Sequence, residues 1–135
     1  MNKETIVIQA AESAMGWPYV YGAWGGLCTP SLRRKYLAYN PSHTAIVTNC
    51  PVLSGKAASC TGCRYEGSRA FDCRGFTYWC LQQVGITLSG GGATSQYNTK
   101  ANWDQKGAIA DMPNLVCCVF QQKAGTSTML HTGLH

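Results

Sequence analysis

The sequence predicts an α+β domain, helices first and strands last. Three observations carry that expectation. Apolar residues recur at helical spacing over 3–15 and 73–84, strand-like runs are confined to 114–120 and 129–135, and the two kinds of segment do not alternate. Alternation would imply a parallel βαβ sheet, whereas segregation implies helices packed on an antiparallel one. With 135 residues, 45% of them hydrophobic, the chain reads as one domain, 1–135, with enough apolar side chain for a core.

The elements follow in order. In "KETIVIQAAESAM" (3–15), Ile6, Ala10 and Ala14, flanked by Val7, Ala11 and Met15, make one apolar stripe. Asn2 is the expected cap, and Gly16-Trp17-Pro18 stops the helix. "PYVYGAWGG" reads as an aromatic, glycine-rich turn, and 27–70 as a polar, turn-rich stretch. "SRAFDCRGFTYWCLQQVGI" (68–86) holds the second strong helix, capped by Asp72 and ended by Gly85. After the "SGGG" loop, "TSQYNTKANWDQKG" reads as a short helix or turn. The strands "NLVCCVF" and "MLHTGLH" are joined by the polar "QQKAGTST".

Composition excludes several functions. No run approaches the ~20 apolar residues of a membrane span. The net charge of +5 is too small to name a polyanion, and the aromatics do not interleave with the basic run as nucleic-acid binding would need. The N-terminus carries neither a long apolar run nor a small-residue cleavage site, so no secretory signal is read there. Eight cysteines without such a signal point to reduced thiols, metal ligands or a nucleophile.

Cys73 follows the cap residue and therefore opens a helix. A thiol there feels the positive end of the helix dipole, and the unpaired amides around it would also hold an oxyanion. The bland alternative is a small buried hydrophobe. Cys80, two turns along among Phe76, Trp79 and Val84, reads as core. Cys117 and Cys118, adjacent in a strand, point to opposite faces. A cysteine nucleophile needs a base, and the chain offers His43, His131 and His135. His43, in "NPSHTA", reads as an exposed loop residue. His131 and His135 share a strand face but stand about 13 Å apart at ~3.3 Å per residue, so both cannot serve one thiol.

"GWPYVYGAWG", "FDCRGFTYWCLQQVGI", "ATSQYN", "NLVCCVF" and "LHTGLH" resemble, in that order, the motifs of NlpC-type cysteine peptidases, papain-like hydrolases of the bacterial cell wall. The resemblance covers the chain outside 27–70, which it marks as an insertion. It implies that Cys73 attacks, that His131 is general base and then acid, and that Tyr19 lies beside the oxyanion. It also implies a substrate-binding set of Asp72, Arg74 and Tyr21, with Asp72 meeting the free amine of a stem peptide. Arg74 stands where the family has serine, so a contact to an amine gives way to one that suits a carboxylate. "MPN" (112–114) replaces the family's Pro-Gly-Asp turn. The residue that orients the histidine lies, in the family, on a strand past the base, so the sheet is expected to be incomplete here. The implied activity is hydrolysis of an amide in peptidoglycan stem peptides, between D-γ-glutamate and the diamino acid, with no cofactor for catalysis. A phage- or prophage-encoded lytic or tail-associated enzyme acting at the bacterial wall is the implied setting. A CHAP-like muralytic amidase and a non-catalytic, zinc-stabilised wall-binding or virion module are the alternatives.

The 27–70 segment carries six of the eleven basic residues (Arg33, Arg34, Lys35, Lys56, Arg64, Arg69) against one acid, Glu66. That suits anionic wall polymers, or simply a solvated basic face. Cys60 and Cys63 in "CTGC" have zinc-knuckle spacing, and Cys28 and Cys50 would complete four ligands. Disulfides and free thiols remain alternatives.

Overall fold

The structure, a computed structural model, describes residues 1–135. Helix α1 (Lys3–Ser13) starts where Asn2 Oδ1 accepts from the Thr5 amide at 2.8 Å. It ends two residues short of the expected 15, and Met15 is exposed beyond it. Gly16 then takes φ +81°, a turn that residues with a Cβ rarely make. Trp17 stacks on Phe71 at 5.9 Å and meets Trp79 at 5.7 Å, so the exit of α1 is pinned by an aromatic cluster.

Strand β1 (Trp24–Leu27) leads into α2 (Pro30–Tyr39), α3 (Ala45–Thr48) and then β2 (Arg69–Phe71). β1 and β2 pair antiparallel, Trp24 opposite Phe71 and Leu27 opposite Arg69, and Cys28 N–H donates to Ser68 O at 2.8 Å. Residues between the two strands thus leave and return through one ladder. The stretch is turn-rich as expected over 49–68 but not before it, because Thr29 Oγ1 caps α2 by accepting from Leu32 N and proline occupies its first turn. Leu32, Tyr36 and Leu37 pack against a buried cluster of Val20, Ala23, Ile46 and Ala70. The basic face is also only partly solvated: Arg33 is 1% exposed and donates from Nη1 to Ile46 O at 2.8 Å, tying α2 to α3.

Helix α4 (Cys73–Gln82) follows β2 directly, and α1 packs on it. Gly75 in its first turn lets it lie on β1, since a Cβ there would stand 2.2 Å from Ala23 O and 2.5 Å from Trp24 Cα. Gly75→Ala is therefore expected to destabilise the fold by about 1–3 kcal/mol, read from the urea midpoint.

Helix α5 (Ala93–Asn98) meets α4 through a Thr77 Oγ1–Gln96 Oε1 hydrogen bond of 3.2 Å, both side chains buried. The second sheet pairs β3 (Cys118–Gln122) with β4 (Met129–Leu134), antiparallel. β3 begins later than the expected 114, because Val116 N–H is taken by Glu4 Oε1 rather than by a strand. α4 and α5 both pack on β4, and Met129 N–H donates to Thr94 Oγ1 at 2.9 Å. The architecture is a mixed α and β domain with five helices and two small antiparallel sheets. No helix is long and apolar enough to cross a membrane.

Candidate active site

The Cys73 site forms where the 16–23 turn, β2 and α4 converge. Asp72 is the cap: Oδ1 accepts from Gly75 N–H at 2.6 Å, and Oδ2 accepts from Gly22 N–H at 3.1 Å. One carboxylate thereby fixes both the start of α4 and the turn facing it. Each oxygen keeps a further lone pair, so a substrate amine is not shut out. Cys73 is half-buried at the first helical position.

Tyr19, more than half exposed, bridges through its backbone to Phe71, the residue before Asp72, and so stands beside the start of α4. Burial, then Cys73, Asp72 and Tyr21, push its ionisation from 10.0 up to about 12, while the Cys73 backbone amide facing the hydroxyl pulls the other way. The phenol therefore stays protonated at neutral pH and can donate to an oxyanion held by the same amides. Titrating phenolate absorbance should show the contribution lost in Tyr19→Phe ionising around pH 12 rather than 10.

Tyr21 stacks on His43, ring centroids 3.7 Å apart at 13°. His43 is thus half-buried beside the site rather than a free loop residue. Only a contact across the 27–70 segment places it there, so no local sequence signal marks it. Arg74 is 8% exposed; its Cζ lies 5.1 Å from the centre of the Trp24 ring, and its Nε has no hydrogen-bond partner. It is a sequestered cation beside the nucleophile position, braced by an aromatic face.

His131 lies on β4, the strand packed on the helix that Cys73 opens. Strict alternation puts Thr132, 2% exposed, on the covered side with its partner Phe120, which meets Tyr97 and Trp103 edge-on. His131 and its partner Gln121 stand on the other, exposed side. The pairing slips at Leu130, immediately before the histidine, and such a bulge bends a strand and re-aims the neighbouring side chain. His135 continues the ladder by exchanging backbone bonds with Cys117. Cys80 is fully buried; burial and then Cys118 raise its thiol to about 12, so it is packing material. Cys118 is raised to about 12 by burial and then Cys117.

Cys28, Cys50, Cys60 and Cys63 line one cavity of about 20 Å³, away from Cys73. Desolvation, then the crowding of Cys50, Cys63 and Cys28, raises the Cys60 thiol. No three of the chain's His, Cys, Asp and Glu side chains stand in metal-ligating geometry. A larger cavity of about 380 Å³ opens against β3, lined by Tyr97, Trp103, Phe120 and Met129 and by none of the Cys73 group.

Comparison with protein-family models, with curated proteins and with solved structures finds no match to this chain.

Proposed function

We propose that the chain is a papain-like cysteine hydrolase of the NlpC type that cuts an amide bond in peptidoglycan stem peptides. The observation that carries the reading is the assembly at the start of α4. Cys73 opens the helix, Asp72 locks its first turn to the facing loop, and Tyr19 is held beside them by its bridge to Phe71. In this mechanism His131 takes the Cys73 thiol proton as the sulfur attacks the D-γ-glutamyl carbonyl. The amides of the helix start and Tyr19 hold the oxyanion, and the C–N bond breaks as the departing amine takes a proton from His131. Water then hydrolyses the thioester. Asp72 meets the stem amine and Tyr21 borders the substrate, while Arg74, buried against Trp24, supplies a positive charge beside the thiol without touching substrate. His131 stands on the exposed side of β4 with the bulge in place, so the reading requires it to turn toward the sulfur when substrate binds.

Digestion of purified peptidoglycan, with the newly exposed amine identified by chemical tagging, tests the reading. A diamino-acid amine supports it, and an alanine amine marks a muralytic amidase built on the same residues. The exposed placement of His131 favours a third reading, a wall-binding or virion module without activity. That reading holds if no amine appears and Cys73→Ala binds walls as well as the parent.

A further inference from the structure

We propose that Cys28, Cys50, Cys60 and Cys63 form a four-thiolate structural zinc site whose counter-charge is the buried guanidinium of Arg33. The four residues come from three separated stretches: the exit of β1, the residue group after α3, and the 60–63 turn. They nevertheless surround one cavity of about 20 Å³, room for little more than one water-sized body. A donor set of four thiols selects a soft or borderline cation, and zinc takes four such ligands tetrahedrally at ~2.3 Å. The four residues line the cavity without standing in ligating geometry, so binding requires their side chains to close on the ion.

The independent observation is Arg33. It is 1% exposed and lines the same cavity. Its Nη1 donates to Ile46 O and its Nε to Cys28 Sγ at 3.4 Å, while Nη2 has no partner. Its Cζ lies 5.8 Å from the centre of the Tyr65 ring, but none of its nitrogens meets a carboxylate. Glu66, which lines the same cavity, accepts instead from the Gly62 amide, and a buried cation without an ion-pair partner is costly. Binding zinc displaces four thiol protons and leaves a centre with two negative charges. Arg33 offsets one of them and already donates to a ligand sulfur. A second donor is in place at Cys63, whose Sγ accepts from Tyr65 N–H at 3.5 Å. Such outer contacts orient metal ligands and hold their charge. The ion would cross-link a stretch whose own buried core is small, and zinc binding contributes directly to folding. None of this depends on the activity of Cys73.

The test uses the full chain, purified reduced and loaded with zinc alone. The expected result is one zinc per chain, Cys28, Cys50, Cys60 and Cys63 protected from alkylation, and a thermal midpoint that falls when a chelator removes the metal. Cobalt in its place should show the bands of a tetrahedral thiolate site. Arg33→Gln should weaken zinc retention about 10–100-fold. The comparison of loaded and stripped parent needs no variant, so a variant that fails to fold does not blunt it. The proposal is overturned if the reduced chain binds no zinc, if the four cysteines are recovered as disulfides, or if Cys60→Ser retains zinc like the parent. Equal retention by Arg33→Gln removes the counter-charge role.

Discussion

Cys73→Ala is expected to release no amino group from peptidoglycan, a loss of about 10⁶-fold, while unfolding within about 1 kcal/mol of the parent. The two halves of that result have separate origins. The cap of α4 belongs to Asp72, whose bonds to Gly75 and Gly22 do not involve the thiol, and alanine is a good helix former. The chemistry belongs to the sulfur, for which the methyl group is no substitute. Amine release and thermal melts of the same preparation read both halves. A variant that still releases amine would remove Cys73 from the reaction. A variant that unfolds would assign the residue to packing.

The histidines carry the second large effect. His131→Ala should lower kcat by about 10²–10⁴-fold, the range expected for a general acid–base. His43→Ala should instead act mainly on KM, since its ring supports Tyr21 at the edge of the site. Steady-state kinetics on soluble stem-peptide fragments separate the two. The reverse pattern, kcat lost in His43→Ala and kept in His131→Ala, would move the base to the histidine already stacked beside Tyr21. It would also leave β4 in a supporting role.

Much of the scaffold was legible in the residues. Asn2 and Asp72 cap α1 and α4 as their side chains suggest, because a cap is a local hydrogen bond between near neighbours. The expected order of helices before strands does not hold, because β1 and β2 fall between α1 and α4 and their ladder joins residues far apart in the sequence, beyond any local pattern. α2 was hidden, although Thr29-Pro30 is a helix start, because the run Arg33-Arg34-Lys35 suggested a solvated surface. One of those cations is instead buried, a choice made by Cys28 and Ile46, which lie outside the local pattern. On β4 the alternation of exposed His131 and covered Thr132 follows the period of a strand, but only packing decides which side is covered. Thr132 can be covered because its hydroxyl donates to Val119 O. The stacking of His43 on Tyr21 likewise depends on a fold-back that no spacing rule encodes.

Intact-protein and peptide mass spectrometry of acid-quenched mixtures of the chain with stem-peptide fragments tests the central claim most directly. The account predicts a stem-peptide acyl group in thioester linkage on Cys73, accumulating before the steady state and absent from Cys73→Ala. Amine release with no adduct on Cys73, or an adduct on another cysteine, would contradict it.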